Sequence, residues 1–148
     1  MVAPFFPEGC DKVAKHAKIT LTYPDHLLDP DQLVTFIEMD GFSDDWKQLG
    51  LGDKELWVAQ AMIGAHPKGS PVIPGTGGLR KLKFAPGSKG GRREWFRICY
   101  AYFQDAGAVL LIVAYAKSEL DDIPAGYKKH FKELIARQRA IFEKGVVR

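Results

Sequence analysis

The sequence predicts a small α+β domain, and three observations carry that prediction. An aromatic and then almost wholly apolar pair of runs, Trp95 to Gln104 and Ala108 to Lys117, has strand character. A cleanly alternating stretch, Leu79 to Ala85, precedes them, and helical apolar stripes flank the set on both sides. Length and composition agree: 148 residues, 46% hydrophobic and 26% charged, suffice for one ordinary globular core.

The elements follow in order. Residues 1–30 read as an N-terminal extension, because Pro4, Pro7, Pro24 and Pro30 interrupt them and only Ile19 to Tyr23 resembles a strand. Residues 31–148 form the domain. Leu33 to Met39 is apolar and β-branched between Asp31 and Gly41, which suits a strand. Ser43-Asp44-Asp45 offers caps for a short helix containing Trp46 and Leu49 and ending at Gly50. Asp53 offers a cap for a second helix, whose apolar face takes in Leu56, Trp57, Ala59, Gln60 and Ile63. Gly64 and Pro67 end that helix, and His66 is read as a cap; Trp46, Trp57 and Phe131 are read as core.

After a turn-rich segment come the three strands. The loop PGSKGGRRE joins the first two, and Gly107 closes a hairpin between the second and third. Ala108 to Lys117 is apolar enough to be covered on both faces. Pro124 suits the first turn of a last helix with Tyr127, Phe131, Leu134, Ile135, Gln138 and Phe142 on its stripe, ending at Gly145. The fold is thus a small antiparallel sheet, mixed at one edge, with two helices before it and one after.

Charge is unevenly spread. Residues 1–79 hold 6 Lys/Arg against 11 Asp/Glu, whereas residues 80–148 hold 15 against 7. Between 80 and 97 stand seven cations (Arg80, Lys81, Lys83, Lys89, Arg92, Arg93, Arg97) and the single Glu94. Clustering of this kind fits an anionic partner, although a solvated basic loop has the same composition.

Strand alternation sharpens the picture. Lys81 and Lys83 share one face and Leu82 and Phe84 the other. With the apolar pair turned to the helices, the lysines stand on an open face, joined by Arg97, Tyr115 and Lys117 from the next strands. Two or three cations converging with a phenol make a phosphodiester site conceivable. Transesterification of RNA needs a base for the 2′-hydroxyl, cations for the charge developing on phosphorus and an acid for the 5′-oxygen. A lysine among other cations gives up its proton more readily, so Lys81 or Lys83 is a candidate base. The plain alternative is an exposed face with ordinary lysines.

Other chemistries find no support. Gly75-Thr76-Gly77-Gly78 leads into a strand instead of opening a helix, and the 87–91 stretch lacks the ending of a phosphate-binding loop. His16, His26, His66 and His130 are scattered, and Cys10 and Cys99 form neither a disulfide framework nor a zinc set. No metal or cofactor is implied. Cys99 is read as an inert buried thiol. No apolar run is long enough to cross a bilayer and the start lacks a secretory pattern, so a cytoplasmic location is expected.

GTGGLRKLKFAPGSKGGRREWFRICYAY, with LLIVAYAKSELDDIP after it, resembles the RelE superfamily of bacterial toxins, most closely its HigB-like branch. The similarity runs from about Leu33 to Arg139 and is densest over Ile73 to Ile123. The resemblance implies a sheet with helices packed on one side. It implies the toxin of a type II toxin–antitoxin system, a metal-independent endoribonuclease that cuts mRNA on the ribosome, restrained by an antitoxin that is often a helix-turn-helix protein. By position, Lys81 and Lys83 match the phosphate-binding or deprotonating lysines, Arg97 the transition-state arginine and Lys117 the basic residue ending the last strand. Tyr115 precedes it. Arg80, Lys89, Arg92 and Arg93 would meet ribosomal RNA. Glu94-Trp95-Phe96 stands where many relatives have small residues, and Ser118 where some have arginine. Two other functions stay open: a ParE-like toxin acting on gyrase, and a non-catalytic RNA- or ribosome-binding module.

Overall fold

The computed structural model describes residues 33–89, 92–120 and 122–145. The extension assigned to residues 1–30 lies outside them. Among the described residues no helix is long and apolar enough to cross a membrane.

The fold is α+β, as the patterning predicts. Strand β1 (Thr35–Glu38) is followed by helices α1 (Asp40–Gln48) and α2 (Asp53–Ala65), then β2 (Leu79–Phe84). A two-stranded ribbon, β3 (Ser88–Lys89) and β4 (Arg92–Arg93), interrupts the loop before β5 (Phe96–Phe103), β6 (Ala108–Ala116) and the long helix α3 (Ala125–Gly145). The sheet order is β1-β6-β5-β2; β1 runs parallel to β6, and the other pairs are antiparallel.

Several boundaries move for identifiable reasons. β1 is shorter than Leu33 to Met39 because its partner begins only at Ala108, after Gly107 has turned the chain at φ 61°. α1 starts at Asp40, three residues before the expected caps. Ser43 therefore lies inside the helix, where its hydroxyl donates to Glu38 Oε1 at 2.8 Å. Asp53 is the first residue of α2 and does not cap it. Gly52 does, with its N–H donating to Glu55 Oε1 at 2.8 Å. His66 ends α2 as read, donating its N–H to the Ile63 carbonyl at 3.1 Å.

Trp57 is a correction. Leu56, Ala59 and Ile63 are the buried stripe of α2, and Trp57 lies about 100° around the helix from Leu56, on the exposed side. Trp46 is core: it stacks on Phe42 at 5.3 Å and donates its indole N–H to the Gly52 carbonyl at 3.0 Å, tying α1 to the start of α2.

Both faces of the sheet are covered, which corrects the one-sided arrangement. α1 and α2 pack Phe42, Trp46, Leu56, Ala59 and Ile63 against Phe84, Phe96, Ile98, Tyr100, Val109 and Leu111. α3 and the segment before it pack Ile123, Phe131, Leu134, Ile135 and Phe142 against the opposite face, at Leu79, Ala101, Phe103, Leu110 and Ile112. A bulge makes the two-sided packing possible. The β5–β6 register pairs Cys99 with Val113 but Tyr100 with Leu111, so Ile112 is an extra residue. Ile112 and Val113 consequently both belong to the α3 side, and Leu111 returns to the α1–α2 side.

The Gly-Thr-Gly-Gly turn proves structural. Buried Thr76 donates its hydroxyl to the Ile73 carbonyl at 2.6 Å and accepts from the Leu79 N–H at 3.1 Å. Gly77 adopts φ 73° against α3, where a Cβ would meet Lys132 Cγ at 3.1 Å. The turn thereby fixes where β2 begins and how close α3 lies to it.

Candidate functional site

Register places the predicted cluster. Lys83 pairs with Arg97 across β2 and β5, and Arg97 pairs with Tyr115 across β5 and β6, so the three form one row on the α3 side of the sheet. The adjacent row is Lys81, Cys99 and Val113. One step the other way, the Lys117 N–H donates to the Trp95 carbonyl at 3.0 Å, which continues the ladder past the end of β5. Lys81, Lys83, Arg97 and Tyr115 are therefore brought together, with Lys117 exposed at the rim.

The face is no solvent-facing wall, however. Arg97 is 6% exposed and Tyr115 8%, while Cys99 is fully buried. β5 is a central strand, and its neighbours screen its side chains from water even where the helix does not reach. Only Lys83 and Lys117 stand in solvent.

Arg97 is the unusual residue. Its one hydrogen bond among the described residues is a long one, Nη1 to the Phe96 carbonyl at 3.4 Å, and its Nε has no partner. No carboxylate pairs with it among the described residues. A buried cation without a counter-ion costs several kcal/mol in hydration lost and not replaced. The Tyr115 hydroxyl is likewise buried, with the Cys99 thiol beside it and no well-formed hydrogen bond among the described residues. Burial and the neighbouring Cys99 thiol push the Tyr115 phenol well above its ordinary range, so it keeps its proton at neutral pH. Burial pushes the Cys99 thiol up to about 12, in keeping with an inert role.

Lys81 is differently placed. Its ammonium donates to Asp122 Oδ1 at 2.9 Å, and that contact holds the Asp122 carboxyl below its usual range. Asp122 comes from the turn leading into α3, and Lys128 on α3 and, more weakly, Arg97 on β5 add further positive influences on it. Lys81, Asp122, Ile123 and Lys128 face the Pro71–Pro74 segment across a cleft of about 350 Å³. In this geometry Lys81 acts as an oriented charge. Lys83 has no partner among the described residues and stands exposed.

The remaining basic residues separate. Arg80 has the opposite parity and lies away from the cluster, where its Nη1 donates to the Lys68 and Ser70 carbonyls at 3.1 and 2.8 Å. It fastens the chain after α2 to β2. Lys89 and Arg92 pair in the β3–β4 ribbon, and Arg93, beside Arg92, places its guanidinium 5.7 Å from the Trp95 ring centroid. Sequence reasoning missed Asp122, Lys128 and the Arg93–Trp95 contact. The first two had no local signal, since only the return of α3 over the sheet brings them near Lys81.

Among the described residues no group of three His, Cys, Asp or Glu side chains is disposed to hold a metal ion. Fold and site together define a small α+β domain with a buried guanidinium that, among the described residues, has no carboxylate in hydrogen-bonding contact, at the centre of a cationic row. No protein-family model matches the chain.

Proposed function

We propose that this protein acts on RNA through the Lys83–Arg97–Tyr115 row, as the toxin of a type II toxin–antitoxin system that cleaves mRNA on the ribosome. The observation that carries the reading is the Arg97 guanidinium, buried and with no carboxylate in contact among the described residues. A phosphodiester supplies the missing charge, and does so most strongly when negative charge builds on the phosphoryl oxygens.

The chemistry follows from the row. The 2′-oxygen attacks phosphorus, the P–O2′ bond forms and the P–O5′ bond breaks, leaving a 2′,3′-cyclic phosphate and a 5′-hydroxyl. Lys83 takes the 2′-hydroxyl proton. Arg97 stabilises the pentacoordinate state, with Lys81 adding charge from the next row. Tyr115, protonated at neutral pH, hydrogen-bonds the phosphoryl group, and Lys117 at the rim delivers a proton to the 5′-oxygen. No metal enters the scheme. Lys89, Arg92 and Arg93 on the ribbon contact ribosomal RNA, and a helix-turn-helix antitoxin restrains the enzyme in a cytoplasmic setting.

The test is translation of a reporter in a cell-free system with purified protein. Message is cut within the ribosomal decoding site, and Lys83→Ala and Arg97→Ala each slow cutting by roughly 10–1000-fold. Intact message in the presence of wild-type protein overturns the reading. The engagement of Lys81 by Asp122 and the poor access to Arg97 favour a second reading, a non-catalytic RNA- or ribosome-binding module. That module would bind RNA in a salt-dependent way and leave it uncut.

A further inference from the structure

Trp95 is used by none of the chemistry above, yet it lies two residues before Arg97 and so has the same strand parity, about 7 Å away along the chain. The ladder bond from Lys117 to its carbonyl fixes its backbone one step along the sheet from Arg97, beside the cationic row. Its indole is 39% exposed. The Arg93 guanidinium lies 5.7 Å from the ring centroid, and Arg93 is itself held in the β3–β4 ribbon. An exposed tryptophan alone is ordinary on a protein surface. This one is backed by a cation and adjoins a buried guanidinium with no carboxylate in contact among the described residues.

From this juxtaposition we infer that Trp95, braced by Arg93, is a stacking platform for an unpaired nucleobase whose neighbouring phosphate sits at Arg97. The inference rests on the proposed RNA reading and narrows its substrate class to a single strand. Indole faces stack on any base, whereas a base inside a duplex has both faces occupied by its neighbours. The guanidinium on the indole adds attraction of the same kind and limits how far the ring can turn. Single-strand preference then comes from the protein itself, before any ribosome is involved.

The test compares three RNA probes at one low salt concentration by fluorescence anisotropy: a single-stranded oligoadenylate hexamer, the same strand with its central bases removed, and a duplex of equal length. Wild-type protein is expected to bind the hexamer about tenfold more tightly than the abasic strand or the duplex. Trp95→Leu is expected to lower hexamer affinity to that of the abasic strand while leaving abasic binding unchanged. Trp95→Phe should keep most of the preference. Equal binding of hexamer and abasic strand by the wild type overturns the platform but leaves the phosphate site intact, as does a preference that survives in Trp95→Leu. Failure to bind any of the three probes overturns the RNA reading and the platform with it.

Discussion

The two faces of the sheet solve different problems with the same strands. The α1–α2 face is a dry apolar layer in which Phe42, Phe84, Ile98 and Tyr100 are almost wholly buried. Tyr100 finds a partner for its hydroxyl, donating to the Pro67 carbonyl at 2.9 Å. The α3 face is apolar at Leu79, Ala101 and Ile135 but carries Arg97 and Tyr115 at its other end with buried polar atoms unsatisfied. Among the described residues, the first face leaves no buried side-chain polar atom unpaired, and the second leaves two at one place. Stability is the concern of the first face, and a ligand is the simplest account of the second.

That contrast is tested most heavily by truncating each side. Phe42→Ala, on the satisfied face, should cost about 3–5 kcal/mol in urea unfolding, because a fully buried ring leaves a cavity. RNA affinity of the folded fraction should be unchanged. A loss under about 1 kcal/mol would mean that this layer is less tightly packed than its burial implies.

Alkaline titration sharpens the contrast further. Cys99 and Tyr115 on the unsatisfied face hold their protons in the folded protein longer than in the unfolded chain. The native state thus binds more protons above the ordinary thiol range, so stability falls as pH rises from 9.0 towards about 12. Cys99→Ala should reduce the slope of that fall by up to about 1.4 kcal/mol per pH unit. An unchanged slope would place the thiol in water.

The smallest expected effect concerns Lys81. Asp122 competes with any phosphate for its ammonium, so Asp122→Asn should raise affinity for single-stranded RNA about twofold to fivefold, most clearly at low salt. As pH falls through the lowered range of the Asp122 carboxyl, wild-type affinity should approach that of the variant. Weaker binding by Asp122→Asn would make Asp122 part of the binding surface.

The sheet strands and their parity were legible because alternation along Leu79 to Ala85 has one meaning for a half-buried strand, and the row Lys83–Arg97–Tyr115 followed from it. What alternation cannot convey is how deeply a face is covered. Arg97 looks like a surface arginine in sequence and is buried because β5 is a central strand, flanked by β2 and β6. The stripe on α3 was plain from Phe131 to Phe142, though Tyr127 in the first turn is exposed, and the face it selects depends on the direction of the chain from Lys117 to Pro124. The long-range return of α3 accounts for Asp122 and Lys128. The start of α1 at Asp40 was hidden because Met39, a poor cap by type, caps the helix with its backbone alone.

On the proposed reading, Arg97 is kept buried, with no carboxylate in contact among the described residues, for an anion. Urea unfolding of wild type and Arg97→Met, with and without a single-stranded RNA oligomer, addresses it most directly. The variant fills the same space without a charge, so it should be more stable than wild type by about 1–3 kcal/mol in the absence of RNA. The oligomer should stabilise the wild type and leave the variant unmoved. A variant less stable than wild type, stabilised by RNA to the same extent, would contradict the account.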